Sequence, residues 1–184
     1  MYFLNINNHV LTQYIIRLSC VDMKTNLCEG RYSTMVQALV LYHSQEHGNT
    51  KRMAEAVAEG LRKGGCEVTL HNANQGRFPI ENYPKYDCVA LGSPDYYSYM
   101  AGTMKTFLDD WYISRNKPGY HVRPYAAFLS HGGGGRAKES FSLFTRLGSQ
   151  VGKIVISYGS PSEEILKECI KLGSDLAKTT SNTR

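Results

Sequence analysis

At 184 residues, with 42% apolar residues, the chain suits one domain with a core able to bury about 70% of the surface exposed on unfolding. The formal charge of +5 comes from basic residues that alternate with acids along helices, which reads as a solvated surface rather than a nucleic-acid footprint. Five cysteines, an odd and scattered set without C-x-x-C spacing, read as free thiols with no metal site, and the apolar runs fall short of a membrane span. No secretory signal with a cleavage site is legible, so the expectation is a cytoplasmic protein.

Residues 1–34 do not resemble the rest. Tyr2–Ile6 and Val10–Leu18 read as two short strands around Asn7-Asn8, followed by a polar stretch, and they bring no chemistry. Met35 stands just before the first strong strand, so 1–34 is treated as an extension of unknown role and 35–184 as the domain. Gln37–His43 is a near-continuous apolar run, as expected for a strand buried on both faces of a parallel sheet. Ser44–Thr50 is a loop of hydroxyls and backbone amides. Met53, Ala54, Val57, Ala58 and Leu61 then mark one face of an amphipathic helix. Such a loop, at a strand's carboxyl end and a helix's amino end, favours an anion.

Gly64-Gly65 stops the helix, and Cys66–Leu70 is a second strand. The connection 72–85, with Gly76, Pro79 and Pro84, has room only for a short helix. Tyr86–Gly92 is the third strand and Ser93–Tyr99 a loop unusually rich in tyrosine. Met100, Ala101, Met104, Phe107, Leu108 and Trp111 share the next helical face. Tyr125–Ser130 is the fourth strand, leading into His131 and Gly132–Gly135. A helix over about Arg136 to Leu147 turns Ala137, Phe141, Phe144 and Leu147 inward. Val151–Ser157 is the fifth strand. Ser160 as N-cap, Pro161 at the first helical position and Glu163 in a capping box open the last helix. Its buried stripe is Ile165, Leu166, Cys169, Ile170 and Leu176. Strands alternating with helices imply an α/β fold, a doubly wound three-layer sandwich on a five-stranded parallel sheet.

Ligands of such sheets settle outside the strands' carboxyl ends. Three loops gather there. Ser44–Thr50 offers hydroxyls, the Asn49 amide and a glycine that admits a phosphate. Ser93–Tyr99 offers Tyr96, Tyr97 and Tyr99 to a flat ring. Ser130–Gly135 is nearly side-chain-free. Gly132-x-Gly134-x-x-Ala137 matches a dinucleotide fingerprint in form only, because no acid follows about 20 residues on, and no P-loop is present. His43, His47 and His131 lie near the ligand edge. His131 is the best candidate for a catalytic histidine, while hydrogen-bonded loop histidines are an equally good reading. Cys88 reads as core.

The segments Tyr42–Thr50 with Met53–Val57, and Gly92–Gly102 leading to Met104–Leu108, resemble the flavodoxin-like family, in its branch of flavodoxins and flavodoxin-like NAD(P)H:quinone oxidoreductases. The resemblance runs from Met35 to about Lys178. It implies strand order 2-1-3-4-5 and an FMN cofactor. Ser44, His47, Gly48, Asn49 and Thr50 would surround the FMN phosphate. Pro94, Asp95, Tyr96 and Tyr97, with Ser130, Gly132, Gly133, Gly134 and Gly135, would line the ring. Gln45-Glu46-His47 is one residue longer than the common family spacing, and the anionic Glu46 is expected to point away. The resemblance implies a flavoprotein oxidoreductase using NAD(P)H and a quinone, in a family whose NAD(P)H sites are often completed by a second subunit of a homo-oligomer. The alternatives are a one-electron carrier serving a redox partner protein, or a binding module that has lost its cofactor.

Overall fold

In the computed structural model, residues 35–183 are described. The two strands expected before Met35 lie outside them. Five parallel strands form the sheet: β1 (Val36–Tyr42), β2 (Cys66–Asn72), β3 (Cys88–Tyr96), β5 (Tyr125–His131) and β6 (Val155–Tyr158), in the order β2-β1-β3-β5-β6. A two-residue strand, β4 (Tyr99–Met100), pairs antiparallel with the end of β3. The expected order 2-1-3-4-5 of the parallel strands holds, with this short hairpin added. Val40 is flanked by Leu70 on one side and Ala90 on the other.

Alternation along β1 sets the layers, because successive side chains point to opposite faces. Val36, Ala38, Val40 and Tyr42 pack with helices α1 (Asn49–Lys63) and α3 (Glu163–Asn182). Leu39 and Leu41 pack with helix α2 (Gly102–Ser114), the 3₁₀ turn Ile80–Lys85 and the 3₁₀ segment Arg136–Leu147. All five inward residues expected on α1 and all six expected around α2 are buried.

Four expectations are corrected. The third strand runs four residues beyond Gly92, so Ser93–Tyr96 is strand rather than loop. Residues 136–147 are 3₁₀ and not α. The hydroxyls of Ser140, Ser142 and Thr145 donate to the carbonyls of Ala137, Glu139 and Ser142, three residues back, which competes with the α ladder. Phe141, Phe144 and Leu147 are spaced by three, so they stay buried in either geometry. The fifth strand starts at Val155 because Gly152, at φ 69°, breaks it after a single bridge from Gln150 to Tyr125. The last helix is capped two residues late: Ser162 Oγ accepts from Ile165 N–H, while Ser160 Oγ accepts from Arg52.

Arg123 is buried without an expectation from sequence. Its guanidinium donates to the carbonyls of Pro84, Gly119 and His121 and lies 4.5 Å over the Tyr83 ring. Desolvation is offset there by three acceptors and a π face. No helix among the described residues is long and apolar enough to cross a membrane, and no cluster of metal-ligating side chains occurs among them.

Candidate functional site

The strand order reverses between β1 and β3, which opens a crevice at their carboxyl ends. A cleft of about 420 Å³ lies there, lined by residues 44–50, Pro94, Asp95, Tyr96, Ser130, His131, Gly132 and Gly159. This volume is within the usual range of small-molecule sites. Eleven of the fifteen residues expected from sequence line it. Tyr97, Gly133, Gly134 and Gly135 do not. Gln45, Glu46 and Gly159 are additional.

One end of the cleft is an anion socket. Gly48 precedes α1 in the left-handed region (φ 70°), no side chain caps the helix and no acid stands in its first turn. The first amides of α1 therefore lack side-chain acceptors, and the positive end of the helix dipole faces the cleft. Helix α3 is the contrast, with Ser162 as cap and Glu163 and Glu164 in its first turn. A Cβ added at Gly48 would meet nothing within 4 Å, so it is the left-handed backbone, not crowding, that calls for glycine there.

Hydroxyls and one amide side chain fix this loop. Thr50 Oγ1 and Ser130 Oγ are buried and 2.8 Å apart, joining the first loop to the third. The pair consumes one of its two hydroxyl protons and leaves the other for a ligand. Asn72, at the end of β2, holds Ser44 at both backbone groups, accepting from its N–H at 3.1 Å and donating to its carbonyl at 2.9 Å. Sequence reasoning missed Asn72; an amide at the last position of the strand beside β1 was the available signal. Glu46 and His47 are exposed at the mouth and 3.7 Å apart. No lysine or arginine lines the cleft, so an anion would be held by dipoles and hydroxyls.

The other end is a slot for a flat group. Tyr96 forms one wall, with the His43 ring edge-on to it at 5.5 Å. His131 and Gly132 form the other, with Tyr158 edge-on to His131. Gly135 makes room for His131, because a Cβ there would stand 2.9 Å from Nε2. His131 Nδ1 is buried without a hydrogen bond among the described residues. Three side chains brace the β3–β4 hairpin through four hydrogen bonds. Ser93 Oγ accepts from Ala101 N–H, Ser140 Oγ from Met100 N–H, and both Asp95 oxygens are engaged by backbone amides. Cys88 is core, as expected, and burial pushes its thiol up to about 12, far from nucleophilic use.

A family model described as a flavodoxin domain matches residues 39–122. A flavodoxin from the domain Archaea superposes with a TM-score of 0.69 at 26% identity, covering 79% of this chain and 99% of that one. The chain has the flavodoxin-like fold and is similar to that family over the matched segment. A curated relative from Brucella ovis, an NAD(P)H dehydrogenase (quinone), is 37% identical over a match covering 41% of this chain and 46% of the relative. The chain thus spans about half the length of the curated relatives it matches. A flavodoxin, WrbA-like protein from Agrobacterium tumefaciens shares the fold, with a TM-score of 0.65 at 19% identity over 81% of this chain and 99% of that one. The family-matched segment contains the Ser44–Thr50 loop and the tyrosine hairpin, while Ser130, His131 and Gly132 lie beyond it.

Proposed function

We propose that this flavodoxin-like protein binds FMN in the cleft at the β1–β3 reversal and transfers electrons through it, reducing a quinone with NAD(P)H. The observation that carries the reading is the pairing, in one cleft, of an uncapped helix start that takes an anion with an aromatic slot that takes a ring. Ser44, His47, Gly48, Asn49 and Thr50 hold the phosphate. Pro94 and Tyr96, with Ser130, His131 and Gly132, hold the ring, and Asp95 lines the slot beside them. Tyr97, Gly133, Gly134 and Gly135 lie outside the lining, and Gly135 leaves room for the His131 ring. Bound flavin supplies the hydride and electron chemistry. The chain's residues orient it, keep water from its enclosed face, and with His131 hold a proton beside the ring. The names of the curated relatives support the substrates NAD(P)H and quinone.

A second reading, a one-electron carrier for a protein partner, is favoured by the match to nearly the whole length of an archaeal flavodoxin. Purified protein incubated with micromolar FMN and freed of excess should keep a flavin absorption spectrum. Failure to bind would end both readings and leave a cofactor-free module. Steady oxidation of NAD(P)H with a quinone is the expected result for the enzyme. Absence of turnover with fast reduction by a reductase protein would establish the carrier.

A further inference from the structure

The β3–β4 turn is built against the conformational preference of its own residues. Tyr97 and Ser98, its two central positions, have φ of 55° and 63°. Positive φ at both positions is the geometry of a two-residue type I′ turn, where Asn-Gly or Gly-Gly is the usual pair. A residue with a Cβ is held there at a steric cost and persists only when its surroundings impose it. The Tyr97 side chain is fully exposed, so packing of its ring does not impose the turn.

Asp95 does. Its Oδ1 accepts from the Ser98 N–H at 2.8 Å, and its Oδ2 accepts from the Ala137 N–H at 3.0 Å. The two donors belong to different segments, each adjoining residues that line the cleft. Ser98 follows Tyr96 on the hairpin, and Ala137 follows the His131–Gly135 loop. Two N–H donors need two acceptor oxygens. A carboxylate offers both, whereas an asparagine would present its NH₂ to one of them. Hydrogen bonds to the charged group are also the stronger kind.

We propose that Asp95 is a positioning residue that fixes the width of the ring slot by tying the strained turn to the segment entering Arg136–Leu147. Its carboxylate faces backbone and leaves ring contact to Tyr96 and the opposite loop. The effect on binding rests on the flavin reading above; the clamp itself does not. The same junction is bridged a second time, since Met100 N–H donates to Ser140 Oγ and Ser140 in turn to the Ala137 carbonyl. Cutting the clamp therefore loosens the turn and leaves the fold intact.

The test uses Asp95→Asn in the full chain, with amide hydrogen exchange at Ser98 and Ala137 before FMN is added, followed by FMN titration. In the variant, at least one of the two amides should exchange about tenfold faster, and the FMN dissociation constant should rise about tenfold. Adding Ser98→Gly, which removes the steric demand at one turn position, should recover most of that affinity in the variant and change wild type little. Unchanged exchange at both amides would overturn the clamp, and so would unchanged FMN affinity in a variant whose parent binds FMN. Weakened affinity with unchanged exchange would make Asp95 a direct ligand and also overturn it. If the wild type binds no FMN, the flavin reading fails and the exchange measurement alone decides the clamp.

Discussion

His43 lies at the end of β1, 5% exposed, with Nδ1 2.9 Å from Thr103 Oγ1 and its ring against Tyr96. Burial lowers its pKa from the ordinary 6.5, an effect partly offset by the Gln45 side chain. Because the folded pKa is the lower one, the unfolded chain binds more protons as pH falls through 6.5. Stability should therefore drop between that pH and the folded pKa, then level off. Urea unfolding of His43→Gln between pH 7 and pH 5 should show a flatter dependence than wild type; an equal slope would mean that another group carries it. The histidine was visible in the sequence as a strand-terminal residue, but its lowered pKa comes from its burial in the fold, where its ring also meets Thr103, sixty positions away.

At the scale of elements, α1 and α3 touch at two glycines. A Cβ on Gly60 would stand 1.9 Å from the Ile170 carbonyl oxygen, and one on Gly173 would stand 2.1 Å from that of Val57. Ser174 Oγ also donates to the Gly60 carbonyl at 3.2 Å. In sequence these glycines look only like weak points inside helices. Across the helix pair they set how closely the backbones approach. Gly173→Ala should destabilise by about 1–3 kcal/mol, toward the upper end because the atom met is backbone. The thermal midpoint should fall by about 2–4 °C per kcal/mol. A midpoint at or above that of wild type would show that the helices separate freely. The Arg136–Leu147 segment gives the complementary lesson: its inward residues were legible from spacing, but its 3₁₀ geometry came from hydroxyls bonding three residues back.

For the whole molecule, a ligand that binds only the folded state stabilises it by mass action. FMN at one hundred times its dissociation constant should add about 2.7 kcal/mol, read as a rise in thermal midpoint that increases with FMN concentration. No rise would count against the flavin reading. The +5 charge separates the two roles. Association with an acidic reductase is accelerated by charge and should slow as salt rises. Turnover with an uncharged quinone should be far less sensitive to salt, provided the nicotinamide is saturating. Stopped-flow reduction at low and at physiological ionic strength would distinguish them.

By itself the sequence determined the α/β layering and the place of the candidate cleft, because both rest on local signals. These are apolar runs of strand length, helical faces at 3.6 spacing, and a glycine-hydroxyl turn between a strand and a helix. It also marked which loops meet, since the ends of parallel strands in a doubly wound sheet must gather on one edge. Only the tertiary structure decided which contacts each loop residue makes there. Tyr97 is fully exposed and outside the cleft lining, and Asp95, which lines the cleft as expected, also spends both oxygens on backbone amides. Asn72, which holds Ser44 in place, carried no motif. The physical reason is common to all three: hydrogen bonds between residues distant in sequence, and the φ angles they impose on turns, leave no periodic trace in the chain.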